Sequence, residues 1–230
     1  MKLSVIIPTL NEELTIKKTL DALSRLVNVS EIVVVDGGST DKTIEIFESH
    51  RQIKNLRLIK FGEANRGRQL HEGTKHATGD IFWFLHPDTR PVQGCGKQIK
   101  QYMRYDEIVG GNFDVVFDGK GSWARFLTWL YSQLRSIGLV YGESAMFVRR
   151  ETYEKIKGFR DLPFLEDVDL YKRLSRKGRF VHINLIVTTS SRRFENRGFF
   201  WTFARWSILQ SFVWAGVPAR LVGKGYKQMR

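Results

Sequence analysis

Short apolar runs alternate with helix-like segments along the first 90 residues of the chain. Runs of strand length occur at Leu3–Ile7, Glu31–Val35, Leu56–Phe61 and Ile81–Leu85. Such runs are typical of strands that are buried on both faces of a sheet. Because helical spacing separates them, the pattern predicts an α/β fold with a parallel sheet between layers of helices.

The alternation becomes less regular after residue 90. The pattern there predicts three further strands and two helices. The strands are Ile108–Phe117, Gly142–Arg149 and Phe180–Val187, and the helices are Ser122–Ile137 and Leu165–Lys177. We therefore expect one large α/β domain rather than a repeat protein.

Polar residues follow three of the buried runs. They are Thr9, Asn11 and Glu12 after the first, Asp36 after the second, and His86 and Asp88 after the fourth. Since the carboxyl ends of parallel strands meet at one edge of a sheet, and ligands bind there in open α/β folds, we expect a ligand crevice. Asn11 is also expected to cap a helix that begins with two glutamates.

The residue types at this edge suit a nucleotide. Asp36 could accept a hydrogen bond from a ribose hydroxyl or a base N–H, and Arg66 and Arg68 could contact a diphosphate. Asp88 is suited to a hard divalent ion that also binds phosphate oxygens. The alternative is structural, because an Asp-Thr pair after a strand commonly caps the next turn.

Composition limits the class of protein. The chain has 230 residues, a net charge of +13 and a single cysteine, Cys95, so no intrachain disulfide or cysteine-based zinc cluster can form. The single cysteine predicts a cytoplasmic protein. The pattern of apolar residues predicts neither a signal peptide nor a confident membrane span.

Residues 192–230 carry eight basic residues and one acid, a net +7. Such a charge attracts nucleic acid, anionic lipid or phosphorylated substrates.

The C-terminal part predicts an amphipathic helix over Arg197–Val217 that is rich in aromatic and basic residues. Spanning a bilayer would bury Arg205 at a cost of about 3 kcal/mol. The helix could instead lie at a lipid interface or pack on the protein or a second subunit, and both alternatives stay open. We expect a main domain at 1–190 and a basic helical extension at 191–230.

Four segments occur together in one order along the chain. They read PTLNEE, VVVDGGSTD, ANRGRQLHEGTKHATGDIFWFLHPDT and FLEDVDLYKRL. With them the chain resembles the inverting family-2 glycosyltransferases of GT-A fold, in a short branch with an HxD variant of the DxD motif. The resemblance implies a mixed, mostly parallel sheet flanked by helices.

The resemblance also implies residue roles. Asp167 matches the catalytic base and Glu166 is the alternative for that role. Asp88 matches the metal-binding acid, with Mg²⁺ or Mn²⁺ as the cofactor, and His86 replaces the first acid of the motif. The residues matching the donor nucleotide site are Pro8, Thr9, Asn11, Glu12, Asp36, Arg66, Gly67 and Arg68. Arg192 and Arg193 are expected phosphate contacts.

The function implied is transfer of a sugar from a nucleotide-diphosphate donor, most often a UDP-sugar, to an acceptor hydroxyl that could be lipid-linked. Processive members carry QxxRW, whereas this chain has Arg205 and Trp206 without the glutamine. We therefore expect a non-processive enzyme that can bind the inner membrane surface and form a homodimer, with no nucleic-acid partner. The alternatives are a nucleotidyltransferase and a non-catalytic protein that binds polyanions or lipid.

Overall fold

The computed structural model describes residues 1–119, 121–192, 207–211 and 217. The described strands are β1 (Leu3–Thr9), β2 (Glu31–Asp36), β3 (Leu56–Lys60), β4 (Ile81–Phe84), β5 (Arg90–Pro91), β6 (Ile108–Phe117), β7 (Phe147–Arg149) and β8 (Arg179–Thr189). They form one sheet in the order β3-β2-β1-β4-β7-β6-β8-β5. Only β7 and β5 pair antiparallel to their neighbours, so the sheet is mixed and mostly parallel.

Helices cover both faces of this sheet. They are α1 (Ile16–Ser24), α2 (Thr43–Glu48), α3 (Arg66–His76), α4 (Cys95–Tyr102), α5 (Ser122–Ser136), α6 (Arg150–Lys155) and α7 (Glu166–Leu174). Buried residues of α1, α2, α4 and α5 join one apolar cluster. Those of α3, α6 and α7 join a second cluster.

The two clusters explain why the strand sequences are apolar without interruption. In β4, Ile81 and Trp83 belong to the first cluster, whereas Phe82 and Phe84 belong to the second. Successive side chains of a strand point to opposite faces, so a central strand covered on both sides needs an apolar residue at every position. The predicted α/β architecture is confirmed.

The order of the strands places a crevice beside β1. The chain runs from β1 outward through β2 to β3 and then returns to place β4 on the other side of β1. Ligands of open α/β sheets bind outside the carboxyl ends of the strands where the order reverses in this way. The residues that follow β1 and β4 therefore border the expected site.

Three local predictions are corrected by the structure. The first strand continues through Pro8 to Thr9. Pro8 has no backbone N–H, but it lies beyond the last backbone hydrogen bond between β1 and the chain at β4, in which Leu85 N donates to Ile6 O at 3.0 Å. In the predicted strand Gly142–Arg149 only Phe147–Arg149 is a strand, because Gly142–Ser144 forms a 3-10 turn. Asn11 caps no helix, since α1 begins after Thr15.

The C-terminal extension is described only at 191–192, at 207–211, which are helical, and at 217. Most of Arg197–Val217, and with it the alternative between lipid and protein packing, lies outside the described residues. No helix of the described ranges has both the length and the apolar composition that a membrane crossing requires. The division at residue 190 stays a prediction.

A buried hydrogen bond of the core can be tested by replacing Trp83 with phenylalanine. The Trp83 indole is fully buried and donates to the carbonyl of Ala145 at 3.0 Å. Because Trp83→Phe leaves that carbonyl without its donor and also removes buried volume, we expect a loss of about 2 kcal/mol in unfolding free energy. Trp129→Phe is the matched control, since Trp129 is 57% exposed and should change stability by less than about 0.5 kcal/mol. Equal losses in chemical denaturation would contradict the assignment.

Candidate active site

The ends of β1 and β2 are joined by side-chain hydrogen bonds. Thr9 pairs with Asp36 in the sheet register, and the Thr9 hydroxyl donates to the Asp36 carboxylate at 3.3 Å. From α3, the buried Gln69 amide donates to the carbonyls of Thr9 and Val35, both at 2.8 Å. These contacts hold the two strand ends and the first turns of α3 in one arrangement.

Asp36 is largely satisfied by its own turn. Its carboxylate accepts from the backbone N–H groups of Gly38 and Ser39, both at 2.9 Å, and from the Ser39 hydroxyl at 2.5 Å. With Thr9 these donors fill the roughly four acceptor positions of a carboxylate. To bind a base or ribose, Asp36 therefore has to lose one of these four hydrogen bonds. The bond from the Ser39 hydroxyl is the easiest to break, because a hydroxyl can rotate away.

Glu12 connects the loop after β1 with the chain that follows β8. The buried Glu12 carboxylate accepts from the Thr15 hydroxyl at 2.7 Å and pairs with Arg192 at 2.8 Å. This ion pair places Arg192 beside the loop after β1. Asn11 faces the neighbouring turn, where its side-chain oxygen accepts from Thr40 N at 2.8 Å. Arg193 lies outside the described residues.

Asp88 follows β4 and faces the end of β8. Its carboxylate accepts from the Thr189 hydroxyl at 3.3 Å, and Asp88 is partly exposed. Among the described residues, no three His, Cys, Asp or Glu side chains cluster in a way that could hold a metal. A single carboxylate nevertheless fits Mg²⁺ or a similar ion that takes its remaining ligands from substrate phosphates and water.

A cluster of charged groups lies where α3, α7 and the residues after β4 meet. Arg66, the first residue of α3, pairs through Nε with Glu166 and through Nη2 with Asp167 at 3.2 Å. Its Nη1 also lies 3.2 Å from Nε2 of His86. A guanidinium can only donate, so in this hydrogen bond Nε2 of His86 is the acceptor.

Asp167 is held by more donors than Arg66 alone. Its Oδ2 accepts from Gly142 N at 2.7 Å, and its Oδ1 accepts from Val168 N at the same distance. A Cβ at Gly142 would lie 2.7 Å from His86 Nε2 and 3.1 Å from Asp167 Oδ2. Glycine is therefore required for the turn to come close enough to donate to the carboxylate.

The electrostatics of the cluster affect Asp167 and Arg66 differently. Burial raises the pKa of Asp167 to about 6, and the charges of Glu166 and Glu143 add to this effect while Arg66 opposes it. Burial disfavours the charged form of Arg66, but the three acids outweigh it and raise the pKa of Arg66 well above its ordinary value. Asp167 can therefore take up and release a proton near neutral pH while Arg66 stays charged.

Two non-glycine residues with left-handed backbone flank the cluster. Ala145, after the Gly142 turn, has φ of 54°, and Leu165, before Glu166, has φ of 58°. Such conformations cost about 1–3 kcal/mol each and persist where the surrounding structure holds them. Here the two strained residues let the Gly142 turn and the first residues of α7 meet, so that Gly142 N contacts the Asp167 carboxylate.

The space inside the cluster is small. A cavity of about 20 Å³ lies among Arg66, His86, Gly142 and Asp167, with Phe159 and Met146 on its apolar side. This volume holds about one water molecule. A sugar therefore has to approach Asp167 from outside this cavity.

Gly67 and Arg68 lie at different distances from the cluster. Gly67 makes room for Glu166, whose Cγ would lie 3.2 Å from a Cβ at this position. Arg68 instead faces outward and pairs with Glu63 and with Asp161 at 3.5 Å. The predicted role of Arg68 at the diphosphate stays a prediction, as do the donor-binding roles of Gly67, Pro8 and His86.

Sequence reasoning missed two groups that shape the site. Gly142 contributes a backbone N–H, which no residue pattern marks, and its neighbour Tyr141 forms a buried hydrogen bond with Gln210 of the C-terminal extension at 2.7 Å. Gln69 lies inside the third family-like segment but was not singled out. Its place in the first turn of α3, next to the apolar Leu70, could have suggested a buried structural bond, yet not its partners.

The profile of the Glycosyl transferase family 2 matches residues 4–161, more than half of the chain. The chain belongs to that family. This confirms the predicted family, while the HxD branch and the roles of Glu166 and Asp167, which lie beyond residue 161, stay predictions.

Curated relatives include members from bacteria and archaea. The probable glycosyltransferase YdaM of Bacillus subtilis is 26% identical over 92% of this chain and 56% of its own length. A glucuronosyltransferase of Methanococcus voltae, named for a dolichyl N-acetylglucosaminyl phosphate substrate, is 34% identical over 44% of this chain and 34% of its length. The chain thus spans about half, or less, of the length of these relatives.

Solved structures of similar fold include two glycosyltransferases. The mannosyltransferase PcManGT of Pyrobaculum calidifontis, in complex with GDP-Man and Mn²⁺, has a TM-score of 0.70 at 19% identity, covering 93% of this chain and 64% of that one. Staphylococcus aureus TarS residues 1–349 with UDP-GlcNAc give 0.65 at 20% identity, covering 83% and 59%. At this identity the likeness establishes the fold, and the predicted GT-A architecture is confirmed.

The charged cluster can be tested with two neighbouring arginines of one helix. Arg66→Leu leaves two buried carboxylates without their cation, so we expect a loss of about 3–5 kcal/mol in unfolding free energy. Arg68→Leu breaks only exposed pairs and should cost less than about 1 kcal/mol.

The loss in Arg66→Leu should be larger at pH 8 than at pH 5. Without the cation the folded-state pKa of Asp167 rises further, and a carboxyl whose pKa is raised on folding loses stability as pH increases. Urea denaturation at both pH values measures this, and equal losses for the two arginines would contradict a buried ionic cluster.

Proposed function

We propose that this protein transfers a sugar from a nucleoside-diphosphate donor to an acceptor hydroxyl, with inversion at the anomeric carbon. The observation that carries the proposal is the buried Asp167 carboxylate, whose pKa of about 6 suits a general base. Membership of family 2 and the fold shared with enzymes crystallised with UDP-GlcNAc and GDP-Man support a nucleotide-sugar donor.

The proposed reaction is a single displacement at the anomeric carbon. The acceptor oxygen attacks the anomeric carbon while its proton passes to Asp167, and the bond from that carbon to the diphosphate oxygen breaks on the opposite face of the sugar. This displacement inverts the configuration and needs no glycosyl-enzyme intermediate. Asp167 is the proposed base because its pKa is raised to about 6, in the range that suits a general base, and Glu166 stays the alternative for that role.

Arg66 and Gly142 prepare Asp167 for this step. Both donate to Oδ2 of Asp167 and so favour its ionised form against the effect of burial. Once the proton has arrived, the same donors keep the carboxyl in place for its release to solvent.

The donor is proposed to lie along the edge formed by β1, β2 and β4. Thr9, Asn11, Glu12 and Asp36 would surround the nucleoside, and Arg192 would contact a phosphate. Asp88 would hold Mg²⁺ or Mn²⁺ together with the diphosphate, and the ion, when bound, would neutralise charge on the leaving group. Transfer is proposed to be non-processive and to occur at the cytoplasmic side, where a basic extension can approach an anionic membrane.

Donor binding is tested by thermal unfolding with UDP or GDP, each with and without Mn²⁺. We expect one diphosphate to stabilise the protein only with the ion, by about 2.7 kcal/mol at a concentration of 100 times Kd. Asp88→Asn should remove that stabilisation, whereas Asp106→Asn, an exposed acid away from the sheet edge, should retain it. Stabilisation that needs no ion, or that survives Asp88→Asn, would contradict the proposed metal role.

The base is tested by the pH dependence of nucleoside-diphosphate release from sugar donors. Because Asp167 must be ionised to accept a proton, kcat/KM should rise with pH and level off above an apparent pKa of about 6. Arg66→Gln removes a charge that lowers this pKa, so the rise should move to higher pH. Asp167→Asn should reduce turnover by about 10²–10⁴-fold while nucleotide binding persists. A rise centred near pH 4 in the parent protein would exclude Asp167 as the base.

A further inference from the structure

A second and larger cavity lies between α5 and the carboxyl-terminal half of β6. Its volume is about 490 Å³, within the range of small-molecule sites. Residues of both elements line it, together with Leu139, Val140, Tyr141 and Ser144 from the chain that follows α5. We call it the α5 pocket.

The α5 pocket shares a wall with the cluster around Asp167. Tyr141 and Ser144 line the pocket, and Gly142, which lies between them, donates its N–H to Asp167 at 2.7 Å. Asn112 of the pocket also donates to the Ser144 hydroxyl at 3.3 Å. A molecule in the α5 pocket would therefore lie next to the turn that positions the proposed base.

The walls of the α5 pocket are mainly apolar. Phe113, Val115 and Phe117 line it from β6, and Trp129 and Tyr131 line it from α5. Two large apolar side chains of the lining, Trp129 and Ile186, are 57% and 45% exposed. Exposed apolar groups around a cavity of this size are typical of a binding site for an apolar body.

The charges of the α5 pocket favour an anion. Arg135 crosses from α5 to Asp114 of β6 at 2.6 Å, so these two charges cancel. Arg125, one exposed residue of the lining, has no acidic partner in the described ranges. Within the described residues, the pocket thus combines an apolar interior with a guanidinium that no acid neutralises, and a guanidinium binds phosphate or carboxylate groups well.

We propose that the α5 pocket binds the acceptor, and that the acceptor is an anionic amphiphile. Its apolar chain or ring lies against Trp129 and the side chains of β6, its anionic group pairs with Arg125, and its hydroxyl reaches Asp167 past the Gly142 turn. This inference rests on the proposed function, because it assigns the second substrate of that reaction.

Titration calorimetry on the full chain tests the proposal with decyl phosphate below its micelle concentration. Decyltrimethylammonium probes the contribution of the decyl group without an anion, and inorganic phosphate probes the anion without a decyl group. We expect decyl phosphate to bind and the other two to bind at least about tenfold more weakly, since neither satisfies both parts of the pocket.

Three variants locate the binding. Arg125→Glu should weaken decyl phosphate by about tenfold or more, because a charge-assisted pair becomes a repulsion. Ser132→Trp should weaken it similarly by filling the pocket, where Ser132 is one of the lining residues. Arg104→Glu, a matched reversal at an exposed arginine beyond α4, should leave the affinity within about twofold.

Equal affinity of all four proteins for decyl phosphate would overturn the proposal, as would equal binding of the decyl cation or of inorganic phosphate. Nucleotide binding with Mn²⁺ is measured on the same samples, which also shows that each variant is folded. Nucleotide binding without decyl phosphate binding overturns the acceptor assignment alone. Decyl phosphate binding in the α5 pocket without any nucleotide binding overturns the donor chemistry instead, and with it the acceptor role.

Discussion

The buried ionic cluster around Arg66 is the constraint on which the site depends. Two adjacent carboxylates, Glu166 and Asp167, lie next to each other with almost no exposure. Such an arrangement is costly unless the charges are paired and the remaining oxygens accept hydrogen bonds. One guanidinium meets both acids, and backbone N–H groups complete the shell of Asp167, so the start of α3, the start of α7 and the Gly142 turn have to meet.

The sheet supplies the second half of the site through a different set of contacts. The ends of β1 and β2 are tied by Thr9 and Asp36, and Gln69 ties both strand ends to α3. Because Arg66 and Gln69 belong to one helix, a single rigid element connects the proposed donor edge with the proposed base. The short segment after β4 works in the same way, with His86 facing Arg66 and Asp88 facing β8.

The fold was largely predictable because its main signal is local. A central strand covered by helices on both faces needs consecutive apolar residues, and the runs around Val33 and Trp83 have them. The sheet edge that collects Asp36, His86 and Asp88 followed from the same alternation. The boundaries were less predictable, as Pro8 shows: whether a missing N–H ends a strand depends on whether the neighbouring strand still runs beside it.

The contacts inside the site could not be predicted because they are not local. Arg66 and Asp167 are about 100 positions apart, and the residues next to each of them in sequence do not indicate that the two side chains are in contact. The turn at Gly142 looked like the start of a strand, since its role arises from the fit of a backbone N–H against a distant carboxylate. Asn11 has the residue type of a helix cap, yet it bonds the turn after β2, which lies close only in three dimensions.

The most direct measurement of the central claim is a crystal structure of the protein with Mn²⁺ and a non-hydrolysable nucleotide-sugar. We predict that the ion and diphosphate lie at Asp88 and that the nucleoside lies along the ends of β1 and β2. The free face of the anomeric carbon should point toward the Asp167 carboxylate, with room for one acceptor oxygen between them. A donor bound with its sugar turned away from Asp167, or bound elsewhere on the protein, would contradict it.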